Sequence, residues 1–227
     1  MDTFEGSPFG MRRFAVARAR GLRRACRGSS QLSGKTPAVN GGIRLFAQSS
    51  SAQARWVIIS PGQALADETK CRRTIGSRTV DNLRVPSGAK CVLTGTRVKG
   101  TIYVGARSVL KAKGVRVVGN IQAENSRKVA VRRGSRVGGS IQIVQGKAAR
   151  IKGTRVKADI LFDDQNGRVL AKGNRLGGNL QAFQNTGGVK IALNGIDGNL
   201  QCKENRPTPV GGNNNVQGSK EDQCSRL

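Results

Sequence analysis

The sequence predicts an all-β fold: a right-handed parallel β-helix (solenoid) of about seven coils with a 19–20 residue period, behind a poorly ordered N-terminal arm. Three observations predict it. A phrase made of a small residue followed by Ile or Leu recurs at nearly constant spacing. The apolar residues inside each unit alternate, as in Ile141/Ile143, Val129/Val131 and Val189/Ile191, which is the period of a strand, and no stretch sustains a helical period. Large side chains are scarce: aromatic residues are 4% of the 227, while 31 are Gly, so a conventional bulky core cannot be assembled.

Three apolar columns carry the repeat. The first runs Leu83, Ile102, Ile121, Ile141, Ile160, Leu180 and Leu200, with separations of 19, 19, 20, 19, 20 and 20 residues. The second is Val98, Val117, Val137, Val156, Leu176, Ile196 and Val216, and the third Cys91, Leu110, Val129, Ala149, Val169 and Val189. One period shared by three columns is the signature of a stacked repeat. Three short strands and three turns fill such a unit, and coils stacked at about 4.8 Å make seven of them a rod roughly 34 Å long. The Leu-x-x-Leu-x-Leu phrase of leucine-rich repeats is missing, and a β-sandwich would not hold so regular a period. Within Arg132 to Val144, Val137 and Ile141 point inward, Arg136 points outward, and Gly138-Gly139 form a corner whose turn requires glycine. No phosphate-binding loop or dinucleotide fingerprint lies in a strand-to-helix setting.

Taken in order, residues 1–66 read as a disordered basic arm or leader, 67–79 as an N-terminal cap segment, 80–201 as the solenoid and 202–227 as a C-terminal cap that still places Val216 in its column. The arm contains MRRFAVARARGLRRACRGSS, Arg-rich and acid-poor. Ala64-Leu65-Ala66 before Asp67 has the small-x-small form of a signal-peptidase site, but the apolar stretch Trp56 to Ile59 is short for a secretory signal and Pro61 breaks it. Either a shifted start precedes an exported domain or there is no export signal; the cysteines favour export. Cys26 lies in the arm. The other four form local sets at the two ends of the repeats, and their placement favours the pairings Cys71–Cys91 and Cys202–Cys224 among the three possible connectivities. Their spacings match neither zinc sites nor Cys-x-x-Cys redox motifs. Disulfide staples imply an oxidising location, secreted, periplasmic or at the cell surface.

The short period, the Gly-Asn-Ile corners and the Val/Ile/Leu columns resemble bacterial parallel β-helix repeat proteins over about residues 80–200, and the chain looks like the small secreted members of that class. Among named groups it is similar to the polymer-forming bactofilins. That resemblance implies the solenoid fold and, by analogy, a self-assembling structural role.

The balance of 40 basic against 13 acidic residues gives a net charge of +27 and points to a polyanionic partner. The charge is concentrated: residues 1–70 carry 11 basic and 4 acidic side chains, and the chain after Leu176 five and four, so roughly 71–176 holds the positive field. One outward position keeps Arg through five coils, at Arg97, Arg116, Arg136, Arg155 and Arg175, and a second column, Lys113, Arg133, Lys152 and Lys172, precedes the corner glycines. Both columns are the expected ligand-binding residues. Stacked cations repel by about 1 kcal/mol or less per solvated neighbour pair, so they need interleaved acceptors or a bound polyanion. The chain has no His, which removes His-based acid/base and nucleophile chemistry and imidazole zinc sites. Asp159, Asp163 and Asp164 with Arg155 or Arg175 sketch a polysaccharide-lyase site, but a charged turn explains them better. Aromatic residues for base stacking are limited in the repeats to Tyr103, Phe162 and Phe183, which disfavours nucleic acid. No apolar run approaches the about 20 residues that cross a membrane. The expectation is a non-catalytic protein without cofactor or metal that binds an acidic polysaccharide or cell-wall polymer, with self-assembly as the alternative reading.

Overall fold

The computed structural model describes residues 67–227; the arm, Cys26 and the Ala64-Leu65-Ala66 segment lie outside the described residues. The described residues form strands and turns with no helix. Three parallel sheets run the length of the solenoid. Sheet A has nine strands, from Glu68–Lys70 to Lys220–Asp222; sheet B has eight, from Thr74–Ile75 to Val210–Gly212; sheet C has eight, from Thr79–Val80 to Asn215–Val216. Each coil passes from A through B to C and returns to A one level up. The segment 67–79, expected as a cap, contributes strands to all three sheets.

The three apolar columns stand in the register that their spacing implies. Ile102, Ile121, Ile141, Ile160 and Leu180 are successive partners in sheet A. Leu110, Val129, Ala149, Val169 and Val189 follow in sheet B, and Val117, Val137, Val156 and Leu176 in sheet C. All of these are buried. The interior is narrow, so volume is balanced between neighbours. Phe162, the bulkiest fully buried side chain, shares its coil with Ala171 and is followed in its column by Ala182.

The corners hold the strands together by a device the apolar columns do not reveal. At the turn from sheet B to sheet C the inward column is polar: Asn174 accepts a hydrogen bond from the Thr154 amide, Asn194 from Asn174 and Asn214 from Asn194, each at 3.0 Å. The same asparagines donate to carbonyls one coil back, at Ile151, Ala171 and Ile191. At the turn from A to B, Asn185, Asn205 and Gln223 repeat the pattern above Gln165. At the turn from C to A the sense reverses, and Asn82, Asn120, Asp159, Asn179 and Asn199 accept from the amide of the following coil.

This third ladder corrects the reading of Gly138-Gly139. Neither adopts a left-handed backbone, unlike Gly114, Gly134, Gly153 and Gly173 at the B-to-C turn. Glycine is required there because a Cβ at Gly138 would collide with the Val118 carbonyl oxygen, and one at Gly139 with the Asn120 side-chain oxygen. Close coil-to-coil approach, not turn conformation, selects it.

Both expected cysteine pairs form, with Cα–Cα separations of 5.5 Å for Cys71–Cys91 and 5.2 Å for Cys202–Cys224. All four are buried at the two ends of the core, where a stack lacks the neighbour that would cover it. At the C-terminal end the turn after Asp222 brings Leu227 to 9% exposure.

Replacing Asn194 with Ala leaves the buried amide of Asn174 without its acceptor and its side-chain nitrogen with only the Ile151 carbonyl. The expected loss is about 2–4 kcal/mol in urea unfolding, whereas Asn199→Ala on the partly exposed ladder costs about 1 kcal/mol or less. Equal losses would show that the buried ladder has no special role. Each disulfide closes a loop of 20 or 22 residues, a constraint of about 3 kcal/mol, so reduction lowers the melting temperature, and peptide mapping of oxidised protein recovers the two pairings.

Candidate functional site

Sheet C is built from two-residue strands of Arg followed by Val or Leu over five coils. With only two residues between corners, one side chain enters the core and the other leaves it. Val98, Val117, Val137, Val156 and Leu176 take the inside, so Arg97, Arg116, Arg136, Arg155 and Arg175 are all outward, exposed and in direct register. The spacing is that of the sheet, about 4.8 Å per coil, so the ladder spans about 19 Å. Thr79 precedes it and Gly195 and Asn215 follow it in the same row.

The arginines line a shallow trough of about 1200 Å³, whose other walls include Val118, Gly138, Lys157 and Gly177. Glycine at 138 and 177 keeps the floor open beside the ladder, since a Cβ at Gly177 would meet the Lys157 carbonyl oxygen just as one at Gly138 meets that of Val118. Exposed Lys157 adds a cation that sequence reading missed, because its row, Lys99, Val118, Gly138, Lys157, Gly177, shows no repeat.

Among the described residues no protein acceptor quenches the ladder. Among the described residues the ion pairs are Arg84–Glu68 at 2.7 Å and Lys99–Asp81 at 3.2 Å, and no ladder guanidinium donates a hydrogen bond. Interleaved acceptors, one of the two ways of relieving five stacked cations, are therefore missing among the described residues.

The second basic column holds at Lys113, Lys152 and Lys172, but Arg132 stands where Arg133 is expected. Lys113 pairs with Arg132, and Lys152 with Lys172. Arg133 sits one place later, in the turn with Gly134, because this coil has Arg132-Arg133-Gly134-Ser135 before its ladder Arg where the coil below has Lys113-Gly114-Val115. The doublet Arg132-Arg133 made the two registers equivalent by composition.

The acidic residues singled out in the sequence are not all gathered at one point. Asp159 immediately precedes the strand Ile160–Asp163 and Asp163 ends it, about 13 Å further along the chain direction. Asp159 is engaged in the corner ladder, accepting from Asn179 at 2.7 Å. Among the described residues no cluster of three or more Asp, Glu, Cys or His is placed to hold a metal, and no helix is long and apolar enough to cross a membrane.

Comparison with family models, with curated proteins and with solved structures finds no match. What stands is a parallel β-solenoid. The narrower likeness to bactofilins and to secreted bacterial members has no support beyond that fold.

The glycine requirement is local and testable. Gly138→Ala should cost about 1–3 kcal/mol in thermal or urea unfolding, as overpacking against a fixed carbonyl does. Gly195→Arg should be tolerated, since the nearest atom to a Cβ at Gly195 is Arg175 Cγ at 3.9 Å. The reverse order of stability would refute the close-approach reading.

Proposed function

We propose that the protein is a non-catalytic, exported rod that binds a linear extracellular polyanion along the ladder Arg97, Arg116, Arg136, Arg155 and Arg175. The observation that carries this reading is the absence of any intramolecular partner for the five arginines among the described residues. Guanidinium groups accept carboxylate, sulfate or phosphate in a planar fork, and five of them held in register by a rigid sheet lose little freedom on binding. A chain of anions laid parallel to the rod meets one cation per coil and releases one counterion per contact.

An acidic polysaccharide or cell-wall polymer suits this surface better than nucleic acid. Tyr103, Phe162 and Phe183 all belong to sheet A, and Phe162 is buried, so no aromatic in the repeats stands beside the ladder to stack on a base. The two buried cysteine pairs support export. A cysteine pair near each end and the packing of Leu227 into the core at the last coil favour a discrete rod over the self-assembling filament of the alternative reading.

Titration with polygalacturonate at several salt concentrations tests the ladder. Arg136→Gln with Arg155→Gln should weaken binding and reduce the log–log salt slope by about 2, and Gly195→Arg should raise it by about 1. Melting temperatures should hold, since these side chains lie outside the core. No affinity in the parent, or affinity unmoved by these changes, rules the ladder out as the binding surface.

A further inference from the structure

Sheet B carries a pattern that the arginine ladder does not explain. Its strands hold nine basic residues and no acidic one. In the middle outward row the register reads Val92, Lys111, Ala130, Arg150, Leu170, Lys190, Val210, a cation in every second coil. In the adjoining row Lys90, Val109, Lys128 and Ala148 alternate as well, and Arg168, immediately before Val169, continues the series. The two rows are out of phase. The coil with Lys111 has Val109, that with Lys128 has Ala130, and that with Arg150 has Ala148.

The result is a checkerboard of cations and aliphatic side chains. Diagonal neighbours are about 8 Å apart, from one coil step and two residues along the strand. Lys113, Arg132, Lys152 and Lys172 border it on the side of the B-to-C corner. None of the six checkerboard cations has an ion pair among the described residues. Between them the surface is apolar: Ala148, Leu170 and Val210 lie in a trough of about 800 Å³ ringed by Lys128, Arg150 and Lys190, and Val210 is 59% exposed. Alternation keeps like charges from stacking within each of the two rows, but Ala at every position, as at 130 and 148, would do that too. The pattern therefore asks for something that uses the charge.

We infer that sheet B is a second binding face, which lies flat on an anionic lipid surface. A linear polymer can satisfy one row of cations; two rows out of phase call for anions spread in a plane. The checkerboard interval is of the same size as that between neighbouring headgroups in a bilayer leaflet, and the half-buried Val92, Val109, Ala148 and Leu170 between the cations suit the interface below the headgroups. The long stems of Lys111, Lys128 and Lys190 reach the phosphates while their methylenes cover the apolar squares. Each Lys or Arg brought near an anionic leaflet strengthens adhesion about fivefold. This face and the arginine ladder stand on different sheets, so they can fail separately.

Sedimentation of the full chain with vesicles tests the face. The parent should bind vesicles of equimolar phosphatidylcholine and phosphatidylglycerol and should not bind phosphatidylcholine alone. The triple change Lys111→Gln, Arg150→Gln and Lys190→Gln should weaken vesicle binding about hundredfold while keeping the melting temperature and the affinity for polygalacturonate. Arg136→Gln with Arg155→Gln should keep vesicle binding within a few-fold. The inference is overturned if the parent does not bind the anionic vesicles, or if both variants lose adhesion in proportion to the charge removed. It is overturned equally if the triple variant loses the polymer and keeps the vesicles.

Discussion

Every residue of the solenoid except those in its terminal coils must tolerate an equivalent residue about 4.8 Å above and below it. This self-stacking constraint decides what each column can contain. Aliphatic side chains satisfy it without further provision, since each buries its neighbour's surface, and the interior columns hold Val, Ile, Leu and Ala. A side-chain amide satisfies it too, because its oxygen can accept from one coil while its nitrogen donates to another, as Asn174 and Asn194 do. Glycine satisfies it where the backbones themselves approach closely, as at Gly138 and Gly177. A charge satisfies it worst, and so charged columns are where function is to be sought.

The corners show how the constraint closes the coil. A strand that turns out of its sheet presents an amide that cannot reach the regular ladder, and buried amides must be paired. The side chain of the next or the previous coil supplies the acceptor. Because that acceptor needs its own space, the Cβ position facing it is emptied, which links Gly100, Gly139 and Gly198 to Asn82, Asn120 and Asn179. The Gly-Asn-Ile phrase is thus one physical unit: glycine makes room for the asparagine of the coil below, asparagine serves the coil above, and Ile or Leu begins the buried column. Ends are where stacking stops, and there the chain substitutes covalent links, Cys71–Cys91 and Cys202–Cys224, for missing neighbours.

The apolar columns, the cysteine pairs and the outward arginines were legible in the sequence because each repeats with the coil and keeps its residue type. What was hidden changes type or period. The buried column at the B-to-C corner runs Thr96, Val115, Ser135, Thr154, Asn174, Asn194 and Asn214, a series with no common chemistry until the hydrogen bonds are seen. Arg133 was read into the cationic column because it precedes Gly134, whereas strand register places Arg132 there. The segment 67–79 lacks the Gly-Asn-Ile phrase yet forms strands in all three sheets, since a terminal coil needs a neighbour on one side only. The alternation on sheet B repeats over two coils and is invisible to a search for one.

The constraint also explains why three faces of one rod can differ so widely in charge. Stability comes from contacts along the axis, inside the core and at the corners, so the outward positions are left free of folding duties. Sheet A uses that freedom for hydrogen-bonded polar groups, with Gln181 donating to Gln201 at 2.7 Å and Gln201 to the Glu221 carboxylate. Sheet C uses it for a continuous row of arginines, and sheet B for two rows of cations that skip alternate coils beside the column Lys113, Arg132, Lys152 and Lys172. A continuous row concentrates field along a line, while a checkerboard spreads it over a plane. Both arrays are fixed by backbone register before any ligand arrives, so binding has little ordering to do beyond the side-chain ends. On the proposed readings, a rod built this way would select partners by the geometry of their charges, line or plane, more than by the chemistry of any single anion.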